Sequence, residues 1–222
     1  MKFSKSKQSG FTLVEIAIVL VIIGVLLAGV LKGQSMINNS RIKGLVRDMN
    51  AVSSSYNGYI DRYQVTPGTE VLAASAARGW GALVTVGGST PLVLPVASTF
   101  TLNTNQSNFW QSVAAAGFFT YTTAVPPVNP TNSVGGLIGL AIGAYAIPGV
   151  DVCLSGLSPL QAEGVDIITD GPLPAANNIG NNVGSLRGAA SAAPPLAPGA
   201  GAPGAAAYVE TAATFWTVCR AL

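Results

Sequence analysis

The 222-residue chain is 49% hydrophobic and only 9% charged, whereas soluble globular proteins carry roughly a quarter charged residues. A formal charge of +2 excludes a strongly basic nucleic-acid binder, and the high hydrophobicity excludes disorder driven by charge. Histidine is absent, which removes the usual imidazole base and the commonest metal ligand.

Charge is distributed unevenly along the chain. Residues 1–47 hold Lys2, Lys5, Lys7, Lys32, Arg41, Lys43 and Arg47 against Glu15 alone, a balance of +6, and the remainder stands at −4. The two parts are therefore expected in different surroundings. The chain opens with MKFSKSKQSG, three lysines and no acid, followed by the apolar run FTLVEIAIVLVIIGVLLAGVL over residues 11–31. As a helix at about 1.5 Å per residue, that run covers roughly 30 Å, the hydrocarbon thickness of a bilayer. It is apolar all round, unlike the surface helix of a soluble domain, and the rest of the chain is too small to wrap it as a core helix. A secretory signal has its small-residue cleavage site after the apolar stretch. Here the small residue, Gly10, comes before it, which suggests a leader removed on the cytoplasmic side while the helix is kept. Lysines and arginines on both sides leave the orientation undecided by charge.

Glu15 is the informative polar residue. A carboxylate at membrane depth costs about 3 kcal/mol or more without a partner, and no cation lies within helical reach inside the run. Protonation, interfacial water, snorkelling towards the headgroups, or a cation from another molecule are the available remedies. Cleavage after Gly10 would place a new α-amine at almost the same depth, ready to meet the Glu15 of a neighbouring copy.

The string Gly10-Phe11-Thr12-Leu13-Val14-Glu15, behind a lysine-rich leader and ahead of an apolar run, resembles the processing site of type IV prepilins and pseudopilins. The resemblance covers about the first thirty residues. It implies cleavage after Gly10 by a prepilin peptidase that also methylates the amine of Phe11. It further implies a role for Glu15 in guiding subunits into a filament, with residues 11–31 as transmembrane segment and then filament core. The partners implied are other pilin subunits, the peptidase/methyltransferase, the inner membrane before assembly and the pilus assembly machinery. The final location implied is an extracellular filament at the cell surface, or the periplasm for a pseudopilin. Many major pilins carry a proline about twenty residues past the cleavage point. This chain has none before Pro67, and only Gly24, Gly29 and Gly33 weaken the helix.

Beyond residue 31 an apolar stripe reads Ile42, Leu45, Met49, Val52, Tyr56, Tyr59 and Tyr63, at alternating spacings of three and four. With no proline before Pro67, a single spine helix is expected over residues 11–63, its stripe packed on the protein's own sheet. Residues 64–222 form the expected head, rich in small residues and proline. Short strand-like runs appear at Leu83–Val86, Phe118–Thr123, Leu137–Ile147, Val150–Cys153 and Phe215–Val218. One short helix is expected over residues 108–116, capped by Gly117. Another starts with the capping box Ser158-Pro159-Leu160-Gln161 and closes at Asp170-Gly171. The expected architecture is α+β: a leader at 1–10, a spine helix at 11–63, and a head at 64–222 built on a small antiparallel sheet. The FWQ…AG pattern at residues 109–117 resembles heads of proteobacterial prepilins.

Residues 189–207, AASAAPPLAPGAGAPGAAA, are low in complexity and read as a flexible or polyproline-like loop, either a surface decoration or a tolerated insertion. Cys153 and Cys219 are the only cysteines. In an exported domain they suggest one disulfide, with two reduced core thiols as the alternative. In the pilin resemblance they match a C-terminal disulfide-bounded region.

No catalytic set assembles, no Cys-x-x-Cys or phosphate-cradling motif occurs, and neither enzyme activity nor a cofactor is expected. Asp166 and Asp170, with Asn177, Asn178, Asn181 and Asn182, offer oxygen ligands of the kind calcium takes, but at no fixed loop spacing. They read more simply as an exposed helix face followed by a turn. Arg41, Lys43 and Arg47 are the only basic cluster, and they sit on the spine, which leaves direct nucleic-acid binding without support. The expected function is that of a pilin subunit forming a type IV pilus-like filament. The alternatives are a type II secretion pseudopilin, a minor or adhesive pilin, and, outside that class, a monomeric single-pass anchored binding protein.

Overall fold

The computed structural model describes residues 10, 12–69, 77–78, 93–101, 104–120, 129–173, 180–209 and 214–222. They fall in two compact units, Met1–Ser40 and Arg41–Leu222. A single helix, α1 (Leu13–Tyr63), begins in the first and ends in the second. In the first unit, residues 12–32 are exposed throughout, aliphatic side chains included. Among the described residues this is the one helix long and apolar enough to cross a membrane. Gly24, Gly29 and Gly33 do not interrupt it.

In the second unit the same helix becomes one-sided. Ile42, Leu45, Met49, Val52 and Tyr59 are buried, Tyr56 and Tyr63 are packed against that core, and Arg41, Lys43 and Arg47 are exposed. The expected stripe is thus the packed face. The helix ends where Gln64 takes a left-handed conformation (φ 54°), just ahead of the turn at Pro67-Gly68.

Among the described residues the sheet of the head has four antiparallel strands: β1 (Ile138–Ile142), β2 (Val150–Leu157), β3 (Leu186–Ser191) and β4 (Phe215–Ala221), in the spatial order β1-β2-β4-β3. Side chains alternate between the faces of a strand. Val152 and Leu154 of β2 accordingly join the main core with the α1 stripe, while Cys153 joins a smaller cluster with Ala141, Ala144, Tyr145 and Ile147. Cys153 and Cys219 lie directly opposite in the β2–β4 register and are bonded to each other. Closing a loop of 66 residues stabilises the fold by about 4 kcal/mol in the chain-entropy model.

Several expected strands change in extent. Leu137–Ile147 is cut short at Ile142, where Gly143 leads into a tight turn that holds Tyr145 and Ala146 at positive φ. Val150–Cys153 lengthens to Leu157 because β2 is central and pairs on both sides. Leu83–Val86 lies outside the described residues, and so does Phe118–Thr123 beyond Thr120; Phe118–Thr120 is not strand. Strand β3 was not expected at all.

Half of β3 belongs to the segment expected as a flexible or polyproline-like loop: residues 189–191 pair with β4, whereas 192–207 carry no regular secondary structure and are anchored at several points by hydrogen bonds. Gly199 and Ala200 accept at their carbonyls from the Tyr145 and Ala146 amides, and the Leu196 carbonyl accepts from the Thr217 hydroxyl. Asn181 is a buried staple. Its Nδ2 donates to the Gly188 and Gly204 carbonyls at 2.9 Å each, and its Oδ1 accepts from the Ala206 amide. Every polar atom of that amide is engaged, so a chain with almost no side chains is held through its backbone.

Both expected short helices form. In α2 (Thr104–Ala115), the Gly117 amide donates to Ala114 and the Phe118 amide to Val113, the paired bonds of a Schellman cap, with Gly117 at φ 79°. In α3 (Pro159–Asp170), Ser158 and Gln161 form the reciprocal capping box, and Gly171 closes the helix.

Gly139 of β1 lies where an added methyl would run into the backbone carbonyl of Thr99. At Gly44 the nearest obstacle is the rotatable Ser133 side chain. Gly139→Ala is expected to cost about 3 kcal/mol by overpacking, and Gly44→Ala clearly less. Denaturant unfolding of the detergent-solubilised chain, followed through buried Trp110 and Trp216, measures both.

Candidate functional site

The N-terminal site is local. Gly10 is exposed, and Phe11 lies outside the described residues. Helix α1 opens with a capping box formed by Thr12 and Glu15. The Thr12 amide and the Thr12 hydroxyl both donate to Glu15 Oε2 at 2.8 Å, and the Glu15 amide donates back to Thr12 Oγ1 at 3.3 Å. Thr-x-x-Glu at a helix start satisfies two otherwise orphaned groups, and an acidic side chain in the first turn suits the helix dipole. Besides the remedies expected for it (protonation, water, snorkelling or a foreign cation), Glu15 has hydrogen-bond donors within its own first turn. The signal was visible as a threonine three residues ahead of a glutamate. Oε2 takes both bonds and Oε1 takes neither.

Residues 5–31 match the family model of the prokaryotic N-terminal methylation motif. The segment is the type IV prepilin and pseudopilin motif. No curated protein and no solved structure matches the chain. The prepilin motif ends where the membrane-length run of α1 ends, and the two together fit a membrane-anchored precursor. The long apolar helix, the small antiparallel sheet and the Cys153–Cys219 disulfide match the α+β fold expected from the pilin resemblance. Such proteins are structural rather than catalytic.

The acidic residues of α3 do not form the exposed face expected of them. Asp166 is buried, and its Oδ2 accepts from the Tyr208 hydroxyl at 2.9 Å. Asp170 is exposed and accepts from the Leu186 amide at 2.8 Å and from the Ser185 hydroxyl. Asn181 is occupied by the staple described above, and Asn177 and Asn178 lie outside the described residues. Among the described residues no three acidic or cysteine side chains converge as a metal-sized group. The two aspartates hold down the 180–186 turn and Tyr208.

Asp151, which drew no attention in the sequence, is fully buried below the Gly143–Ala146 turn. Its Oδ2 accepts from the Ala144 amide at 2.8 Å. Burial pushes its carboxyl up to about 6, against the lowering effect of the Ala144 and Gly143 amides. Burial is also the main cause that brings Asp166 up to about 6, with Asp170 and Glu163 adding repulsion and Tyr208 opposing them. Tyr208 is raised in turn, first by burial and then by Asp166.

A carboxyl that binds its proton more tightly folded than unfolded stabilises the fold below its ordinary value of 3.8 and loses that contribution as pH rises through about 6. Unfolding free energy of the detergent-solubilised chain is therefore expected to fall by about 2 kcal/mol from pH 5 to pH 7. Paired Asp151→Asn and Asp166→Asn changes should flatten that slope, as read from denaturant midpoints across the range.

Proposed function

We propose that the chain is a structural subunit of a type IV pilus-like filament. The observation that carries this reading is an apolar α1 surface, exposed from Leu13 to Leu31, that coincides with the prepilin motif. Such a surface is stable only in lipid or against other apolar surfaces. Residues 1–10 act as the leader, cut after Gly10 by a prepilin peptidase that methylates Phe11. Residues 11–63 are the spine, with 11–31 as anchor and then filament core, and residues 64–222 are the head. Leaving the membrane becomes tolerable because each helix exchanges lipid for the helices of other copies, while the assembly machinery supplies the work of extraction. The polymer emerges at the cell surface.

Glu15 sets the register in this reading. With Oε2 bound to Thr12, Oε1 accepts the terminal amine of a neighbouring copy, and the cation offsets the cost of a carboxylate in an apolar setting. Glu15→Ala is expected to lower filament yield by roughly tenfold or more, equivalent to about 1.4 kcal/mol or more per contact. The precursor itself should still insert in the membrane. Sheared surface material quantified against membrane-bound subunit gives the answer, and unchanged yield removes Glu15 from assembly. Intact mass of the mature chain should correspond to a start at Phe11 with one added methyl.

A further inference from the structure

Helix α3 buries Pro159, Ala162 and Val165 in the core, yet it leaves large aliphatic side chains outside. Its inward positions include Asp166, 2% exposed, whereas Leu160, Ile167 and Ile168 stand 45%, 42% and 50% exposed. These three fall at i, i+7 and i+8, on one side of the helix. At Gly164, which lies between Leu160 and Ile168, an added methyl would collide with the side chain of buried Ile42, so the exposed aliphatic side chains border the line where α3 packs on α1. They thus form an apolar shoulder beside α1, flanked by the half-buried carboxylate of Glu163. Three large aliphatic side chains turned outward while an aspartate is turned inward are a poor arrangement for a surface that always faces water.

We propose that this shoulder is a docking surface for α1 of a second copy of the same chain. The choice of occupant rests on two complementarities. The chain itself carries an uncovered aliphatic helix surface at residues 13–37, which suits the apolar face of α3. The same helix brings exposed Lys32, Arg41, Lys43 and Arg47, which suit the acidic flank at Glu163, so opposite charges meet when the spine of one copy lies along the head of another. The inference rests on the filament reading and adds to it a head surface that takes part in assembly. Packing would then come from the head as well as from the membrane-length segments.

The test uses the full-length chain in cells that assemble it. A benzophenone amino acid in place of Ile168, activated by light in intact filaments, should give a covalent dimer of the subunit. Mass spectrometry should map its second site to residues 13–47. Cross-links that map to any other region, or to a different protein, overturn the proposal. In parallel, Leu160→Asp and Ile168→Asp should each lower filament yield by roughly tenfold or more. Processed, disulfide-bonded subunit should stay at its normal level in the membrane, which separates an assembly defect from misfolding. Yields equal to the unaltered chain overturn the proposal as well. If the unaltered chain forms no filament, the reading of its function fails; if it does and position 168 cross-links elsewhere, only the shoulder fails.

Discussion

Hydrophobic burial along α1 has two different sources of cover, and the rest of the molecule follows from that division. Every large aliphatic side chain of residues 13–37 is exposed, whereas the stripe from Ile42 to Tyr59 is covered by the head, α2 and Phe118 included. At about 25 cal/mol per Å², the uncovered portion is far too large to leave in water. Lipid fits that surface in a membrane-anchored precursor, and in the proposed filament other copies would take its place.

The head is built to offer one covered face to α1 and to brace itself on the other. Alternation along β2 sends Val152 and Leu154 to the spine and Cys153 to the opposite cluster, where the disulfide joins the two central strands. Asp151 shares that opposite side and holds the turn that carries Tyr145 and Ala146 at positive φ. Backbone conformations of this kind persist only where neighbours enforce them. Here the amides of both residues are held by the 199–200 segment, and Arg187 donates to both carbonyls. The low-complexity segment is thereby part of the support for the strained turn.

Small residues explain why so much of the head escaped a pattern-based reading. Ala189 and Ala190 carry no strand propensity, and nothing in AASAAPPLAPGAGAPGAAA announces a pairing partner. The order there comes from backbone groups meeting Asn181, Thr217 and the Tyr145 turn, three regions distant in sequence. Likewise the acidic residues of α3 look solvated in one dimension. Only the arrival of Tyr208, from forty-two residues away, makes an inward Asp166 tolerable and leaves the aliphatic face outside.

What the chain declares on its own is whatever depends on short-range periodicity and local chemistry. The apolar run, the Gly10–Glu15 motif, the spine stripe, the Gly117 cap and the Ser158 capping box are all read within a few helical turns. Even the Thr12–Glu15 cap was there to be read, since its partners are three residues apart. Tertiary structure alone decided the Ala-rich edge strand, the role of Asn181, the burial of Asp151 and the inward Asp166 of α3. Each depends on groups brought together from far along the chain, and the free energy of such a contact has no counterpart in the neighbouring residues of either partner.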